Sequence, residues 1–266
     1  MSVKLVNTAV ILCGGMSTRM GALTSETPKA LLNVNGKPII WYTINFLKQN
    51  GIKRFIFPLG YLGKKIQRYI QKEFSSFDIE FVFSDTGVKT EIHNRIRNIL
   101  CKLDLNENFI LLNSDTIFSF DLINMCQLHL SNRSDLTLAT VPITSPWGIV
   151  IENDGKLASF QRNLKIDNVG LVDYPIGHGQ IYSGLCIIKS KVLCKFDWLN
   201  CSDFETDVFN DIIDENKALV HRINGFWYPI DTPKHLSNIN HEFKIAIKSS
   251  SRNHLINISE GVFNAA

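Results

Sequence analysis

The chain has 266 residues, of which 45% are hydrophobic and 20% are charged, and its formal net charge is +3. This composition is typical of a globular protein and excludes a disordered or fibrous chain. The basic residues are scattered along the sequence, so no concentrated positive patch predicts binding to nucleic acid.

Six cysteines are spread along the chain without a C-x-x-C pair, and several lie in apolar runs such as Leu185–Ile188. This spacing predicts buried free thiols, not a zinc site, and therefore a reducing compartment. No uninterrupted apolar run approaches the roughly 18 residues of a membrane span, and the run Thr8–Cys13 stops at two glycines. We therefore expect a cytoplasmic protein without a membrane partner.

Short apolar segments alternate with helical patterns through the first half of the chain. The predicted strands are Ala9–Leu12, Phe55–Leu59, Ile79–Phe83 and Phe109–Leu112. The predicted helices are Ile39–Gln49, Gly63–Phe74, Lys89–Cys101 and Asp121–Leu130. Strands separated by helices of about a dozen residues are typical of a mainly parallel sheet, whose ligands bind at the carboxyl ends of the strands.

The second half of the chain has a less regular pattern. The predicted strands are Leu136–Pro142, Gly148–Glu152, Leu157–Gln161, Tyr182–Ile188 and Phe226–Tyr228. The predicted helices are Asp207–Asp214 and Pro233–Ile247. Residues 163–181 have few periodic apolar positions, which predicts a long loop or lid.

Together these patterns predict an α/β fold. Its sheet is Rossmann-like, mainly parallel and mixed, and is flanked by helices, with a small antiparallel insertion in the second half. A single domain is expected over residues 1–248 and a polar tail over residues 249–266.

The segment Gly14–Arg19 follows the first predicted strand and has residue types that bind anions. Paired glycines expose backbone N–H groups, Ser17 and Thr18 add hydroxyl donors, and Arg19 adds a forked cation. The segment matches neither G-x-G-x-x-G nor G-x-x-x-x-G-K-[ST]. Read alone, it is equally well a glycine turn with a solvated arginine.

Lys29 lies between a rigid proline and an apolar strand, so it can be directed at the same loop. There its ammonium group could neutralise a polyphosphate. Read alone, a surface lysine is the simpler interpretation.

Several motifs, taken in order, resemble the sugar-phosphate nucleotidyltransferases. They are G-G-M-S-T-R-M at 14–20, P-K at 28–29, G-K-P-I-I at 36–40, L-G-Y-L-G at 59–63, the aspartate at 115, Y-S-G at 182–184 and F-W-Y-P-I-D-T-P at 226–233. Enzymes of this family join a sugar 1-phosphate to a nucleoside triphosphate and release pyrophosphate. The resemblance spans nearly the whole chain, so it implies the same activity here.

The resemblance also implies roles for individual residues. The catalytic set would be Arg19, Lys29, Asp115 and Asp231, with the two aspartates holding Mg²⁺. The nucleotide would contact Leu12, Gly14, Gly15, Met16, Ser17, Thr18, Thr90, Arg95 and Ser114. The phosphorylated acceptor would contact Gly184, Glu205 and either Arg162 or Lys165. The simpler interpretations are a helix or turn cap for each aspartate and an exposed helical position for Arg95.

Residues 86–96 bear on the choice of nucleotide. They resemble the T-G-x-x-T-x-x-G-G-R-[IL] segment of glucose-1-phosphate cytidylyltransferases, which implies CTP as donor and a CDP-sugar for surface polysaccharide as product. Residues 112–116 resemble the N-G-D-T motif of heptose- and mannose-phosphate guanylyltransferases, so guanylyl transfer is the alternative.

Two departures from the cytidylyltransferase pattern leave the acceptor open. His93 and Asn94 replace a glycine pair, and residues 162–164 read R-N-L where the family has E-K-P, whose lysine handles the sugar phosphate. Another sugar phosphate or a phosphate on a non-sugar carrier remains open as the acceptor. A regulatory subunit that binds nucleotide sugars without catalysis, and assembly into a homo-oligomer, also remain open.

Overall fold

A computed structural model describes residues 6–144, 149–154, 156–161, 165–166, 168–171, 174–215, 217–249, 256–257 and 262–263. The strands are β1 Thr8–Leu12, β2 Asn33–Val34, β3 Lys37–Pro38, β4 Arg54–Leu59, β5 Glu80–Asp85, β6 Asn108–Asn113, β7 Thr116–Ser119, β8 Leu136–Thr144, β9 Ile149–Asn153, β10 Lys156–Gln161, β11 Lys165–Ile166, β12 Asn168–Leu171, β13 Tyr174–His178, β14 Gln180–Lys189, β15 Ala218–Arg222, β16 Phe226–Pro229, β17 Ile256–Asn257 and β18 Val262–Phe263. The helices are α1 Ile39–Gln49, α2 Gly63–Glu73, α3 Ile92–Ile99, α4 Leu122–Ser131, α5 Ser190–Lys195, α6 Phe204–Asp214 and α7 Pro233–Ser249, with 3₁₀ turns at Thr18–Thr24, Lys29–Leu31 and Leu100–Lys102.

The central sheet is mixed and mostly parallel, which confirms the predicted α/β fold. Its strands lie in the order β5, β4, β1, β6, β14, β8, and the outer edge of β8 pairs with β15 at one end and β11 at the other. Strands β5, β4, β1 and β6 run parallel, whereas β14 is antiparallel to both of its neighbours. In this register Leu12 lies opposite Asn113, so the polar segments after β1 and β6 leave the sheet side by side.

Two apolar clusters cover the two faces of the sheet. Ala9 and Ile11 of β1 belong to the cluster that contains α1 and α2, whereas Val10 belongs to the cluster that contains α3 and α6. All three side chains are fully buried. Burial of each aliphatic side chain stabilises the fold by about 1.5–3 kcal/mol, so a strand that is apolar on both faces is held from both sides.

Caps explain where several helices begin. Helix α1 has the predicted bounds because it starts directly after Pro38 and ends before Gly51. Helix α4 starts after Asp121, whose side chain accepts a hydrogen bond from Asn124 N. Helix α6 begins at Phe204, three residues before the predicted start, because Asp203 rather than Asp207 acts as the cap and accepts from Thr206 N.

The prediction of a long loop over residues 163–181 is wrong. The described part of this segment contains β11, the antiparallel pair β12–β13 and the start of β14. The short strands β7 and β15 also went unpredicted, because four or five residues with mixed polarity give too little periodic signal. Within the predicted tail, β17 pairs with β18.

The cysteine prediction is correct in part. All six cysteines are free, and three are buried: Cys13, Cys126 and Cys186. Cys101 and Cys194 are exposed, contrary to the expectation of buried thiols. Among the helices that the structure describes, none combines the length and apolar character needed to cross a bilayer.

Candidate functional site

A cavity of about 340 Å³ opens at the carboxyl ends of β1 and β6. The segments after β1, β6 and β16, the turn that contains Lys29 and the start of α3 meet there. The lining residues are Leu12, Cys13, Gly14, Gly15, Ser17, Arg19, Met20, Pro28, Lys29, Ala30, Thr90, Glu91, Ile92, Arg95, Asn113, Ser114, Asp115 and Asp231.

The loop after β1 is held by backbone hydrogen bonds to its neighbours. Gly14 O accepts from Tyr61 N at 3.1 Å, and Leu12 O accepts from Ser114 N at 3.1 Å. Ser17 adopts a left-handed φ of 52° at the start of the following 3₁₀ turn. The chain therefore curls around the cavity mouth and brings Arg19 to its rim, in a conformation that suits an anion-binding loop.

The four residues predicted to be catalytic meet in one cluster. Lys29 Nζ lies 2.6 Å from Asp115 Oδ2 and 2.9 Å from Asp231 Oδ1. Arg19 Nη2 lies 3.1 Å from the same oxygen of Asp231. The cluster thus pairs two cations with two carboxylates.

Strand pairing explains why two aspartates so distant in sequence become neighbours. Asp115 precedes β7 and Asp231 follows β16, and these two strands are antiparallel, with Pro229 opposite Thr116. Ile230 N also donates to Asp115 O at 2.9 Å. The β7–β16 ladder, which went unpredicted, therefore positions both carboxylates.

The surroundings of Lys29 and Asp231 decide between the alternatives left open above. Lys29 is only 8% exposed, so the interpretation as a surface lysine is wrong. Thr232 Oγ1 accepts from His235 N and so supplies the side-chain cap of α7 that was the alternative role for Asp231. Burial raises the pKa of Asp231, but the hydrogen bond and charge of Lys29, with smaller contributions from Arg19 and His235, outweigh it and hold the pKa below its usual value.

The carboxylate pair is chemically suited to Mg²⁺. This ion is commonly held by one or two carboxylates together with water and substrate phosphates. Asp115 and Asp231 are both partly exposed and line the cavity. Within the described ranges no group of three or more His, Cys, Asp or Glu side chains converges, so further ligands would come from phosphate and water.

Arg95 lies beneath the cavity and ties the end of β4 to the segment after β5. Its guanidinium donates to Leu59 O at 3.3 Å, to Thr86 Oγ1 at 2.7 Å and to Val88 O at 3.1 Å. The residue is 3% exposed, which excludes the exposed helical position considered above. Burial lowers the pKa of Arg95, yet a guanidinium starts so high that it stays charged.

Most of the predicted nucleotide-binding residues line the cavity. Those that do are Leu12, Gly14, Gly15, Ser17, Thr90, Arg95 and Ser114. Met16 and Thr18 are not among the lining residues, and Met16 is 47% exposed. Sequence reasoning missed Asn113 and Glu91, although each adjoins a predicted residue in the chain.

The predicted acceptor positions are less well gathered. Gly184 has a φ of 83°, and a Cβ there would lie 2.9 Å from Nδ2 of Asn113, which lines the cavity. Glu205 is not a lining residue, and burial together with the charge of Asp203 raises its pKa. Lys165 belongs to β11, whose backbone pairs with Thr144. Arg162 lies outside the described residues.

Comparison with known proteins places the chain in a family. It belongs to the Nucleotidyl transferase family, which matches residues 8–244. A Bacillus subtilis (strain 168) protein named probable glucose-1-phosphate cytidylyltransferase is 28% identical over 254 residues, 87% of this chain and 94% of the relative. The D-glycero-α-D-manno-heptose 1-phosphate guanylyltransferase of Aneurinibacillus thermoaerophilus is 30% identical over 156 residues, 58% of this chain and 66% of the relative.

Solved structures support the fold. HddC from Yersinia pseudotuberculosis, crystallised with GMP-PN, superposes with a TM-score of 0.65 over 90% of this chain and 100% of HddC, at 20% identity. At that identity the likeness concerns the fold alone.

Proposed function

We infer that this chain is a nucleotidyltransferase that joins a sugar 1-phosphate to a nucleoside triphosphate, with CTP as the donor. The observation that carries this inference is the cluster in which Lys29 bridges Asp115 and Asp231 beside Arg19. The cluster lies at the carboxyl edge of a parallel sheet, where ligands of such folds bind. It also lies in a chain of the Nucleotidyl transferase family.

The reaction needs charge stabilisation and alignment more than covalent help from the protein. An oxygen of the sugar phosphate attacks the α-phosphorus of the nucleotide, and the bond from that phosphorus to the bridging oxygen of pyrophosphate breaks. The attacking oxygen is already ionised at neutral pH, so no general base is required. Lys29 and Arg19 would stabilise the charge that develops on the α-phosphate and on the departing pyrophosphate.

Asp115 and Asp231 would hold Mg²⁺, which supplies charge neutralisation to the phosphates when it is bound. Lys29 and Arg19 hold the pKa of Asp231 below its usual value, so its carboxylate is ionised at neutral pH. Arg95 would act from below by holding Leu59 and the 86–88 segment beside Gly14, and the nucleotide would lie against these segments.

Support for CTP comes from residues 86–96 and from the cytidylyltransferase named above. The guanylyltransferase from Aneurinibacillus thermoaerophilus supports GTP as the alternative, because its identity to this chain is similar although over fewer residues. A catalytically impaired regulatory subunit is less well supported, because all four members of the charged cluster are in place.

The test is pyrophosphate release with each of CTP, GTP, UTP, dTTP and ATP, with Mg²⁺ and a panel of sugar 1-phosphates. The matched negative controls are Asp115→Asn and Asp231→Asn, which keep the side-chain volume and remove the charge. We expect release with CTP and one acceptor, and release with GTP alone would replace the cytidylyl assignment. No release with any pair, together with no thermal stabilisation by any nucleotide, would overturn the proposal.

A further inference from the structure

A second cavity, of about 500 Å³, lies at the opposite edge of the sheet. It is formed by the end of α4, the end of β14, helix α5, the end of α6 and the start of β15. The lining residues are Arg133, Asp135, Lys189, Lys191, Val192, Lys195, Asp211, Glu215 and Lys217. The volume is within the range of small-molecule sites, about 300–1,000 Å³.

This cavity is separate from the candidate active site. Lys189, the last residue of β14, pairs with Asn108, the first residue of β6. The active-site segments leave β6 at its other end, after Asn113. The length of β6, five residue steps or roughly 17 Å of extended chain, therefore separates the second cavity from the candidate active site.

The cations around this cavity outnumber the carboxylates. Asp135, which is 8% exposed, lies 3.4 Å from Lys189 Nζ and 3.5 Å from Lys217 Nζ. Glu215 also pairs with Lys217. Arg133, Lys191 and Lys195, by contrast, form no ion pair with any residue that the structure describes.

We propose that this cavity is a binding site for a phosphorylated sugar. The three unpaired cations would hold the phosphate, since guanidinium and ammonium groups are the usual phosphate partners. Asp211 and Glu215 lie four residues apart at the end of α6 and also line the cavity, where they would accept hydrogen bonds from sugar hydroxyl groups.

The lining also argues against other anions. The carboxylates of Asp211 and Glu215 would repel a compact polyphosphate. They would instead accept hydrogen bonds from the hydroxyl groups of a sugar. Among the described lining residues Val192 is the sole apolar side chain and none is aromatic. A nucleobase would therefore find no surface on which to stack. This inference rests on the second cavity alone and does not depend on the proposed function.

Isothermal titration calorimetry on the full chain tests the proposal. The probes are glucose 6-phosphate, mannose 6-phosphate, ribose 5-phosphate, inorganic phosphate and CMP, without metal. The test variant is Arg133→Ala/Lys191→Ala/Lys195→Ala. The matched control is Lys53→Ala/Lys72→Ala/Lys102→Ala, which removes the same charge from exposed positions outside the cavity. Thermal unfolding of both triple variants checks the fold.

We expect at least one sugar phosphate to bind the wild type and the control equally, and to bind the test variant about tenfold more weakly or worse. Asp211→Asn should reduce the preference for the sugar phosphate over inorganic phosphate, because it replaces one oxygen that accepts from hydroxyl groups and removes a charge that repels both ligands.

Three results would overturn the proposal. The first is that every sugar phosphate binds the test variant and the control equally. The second is that inorganic phosphate binds the wild type as tightly as the sugar phosphates do. The third is that CMP binds more tightly than the sugar phosphates and depends on the same three cations. If the triple variant unfolds, the single charge reversal Lys195→Glu replaces it, with Lys72→Glu as its control.

Discussion

A methyl group on Gly14 would lie 2.3 Å from Nη1 of Arg95, so the side chain of one residue fills the space that the other leaves open. A methyl group on Gly60 would lie 2.4 Å from the same Nη1 atom of Arg95. The loops after β1 and β4 can therefore pack on the guanidinium only if both positions are glycine. Gly15, the next residue after Gly14, has open space where a Cβ would lie.

Gly14→Ala should destabilise the protein and Gly15→Ala should not. Overpacking of a well-packed site costs about 1–3 kcal/mol. The atom in the way, Nη1 of Arg95, is buried and hydrogen-bonded to Leu59 O and Thr86 Oγ1, so it cannot move aside freely. Thermal or urea unfolding of the two variants measures the difference. In an Arg95→Ala background the cost of Gly14→Ala should shrink, and an unchanged cost in this double-mutant cycle would show that Arg95 is not the obstacle.

Lys29→Met should lower kcat by about 10²–10³-fold, the usual effect of losing one electrostatic donor in an active site. The bridging ammonium group is the partner of both aspartates, so its loss also leaves two adjacent carboxylates without their shared cation. Steady-state kinetics of pyrophosphate release measure the effect, with Lys53→Met as the surface control. A change in KM alone would mean that Lys29 binds substrate and transition state equally.

The stability of the fold should fall as the pH is lowered from about 6.5 to about 4. His129 is buried between Thr137 Oγ1 at 2.8 Å and Asn108 Oδ1 at 3.1 Å, and burial lowers its pKa to about 4. The unfolded chain takes up this proton near pH 6.5 and the folded protein does not until about pH 4, so protons favour unfolding within that window. The full effect is about 3 kcal/mol, at about 1.4 kcal/mol for each unit of pKa difference.

Urea unfolding at several pH values checks this expectation. Burial also lowers the pKa of His221 and acts in the same direction, so the decisive comparison is with His129→Gln. That variant should lose most of the slope between pH 6.5 and 4, and an unchanged slope would assign the effect to other groups.

Cys101 and Cys194 should react with iodoacetamide before the buried thiols do. Both are exposed, whereas burial raises the pKa of Cys13, Cys126 and Cys186 to about 12 each. Because the thiolate is the nucleophile, a thiol with such a pKa is nearly inert at pH 8. Mass spectrometry of peptides after short exposure measures the order, and early labelling of Cys13 would contradict it.

Local patterns predicted some elements well and could not predict others. The bounds of α1 follow from Pro38 and Gly51, which lie beside the helix in sequence. The meeting of Asp115 with Asp231 depends on the β7–β16 ladder between distant segments, so only the family resemblance indicated it. The contacts of Arg95 could not be predicted from local patterns either. The parallel register of the sheet brings Leu59 O and Gly14, which are distant in sequence, next to its guanidinium.

The insertion that carries β9–β13 leaves the sheet at the end of β8 and returns at the start of β14. Pro142 and Gln180, near its two ends, are direct partners in the β8–β14 ladder. Because the sheet already holds the ends together, doubling the length of the insertion would add only about 0.6 kcal/mol of loop-closure cost. Evolution can therefore exchange this segment, with the predicted acceptor positions Arg162 and Lys165, while the charged cluster around Lys29 stays intact.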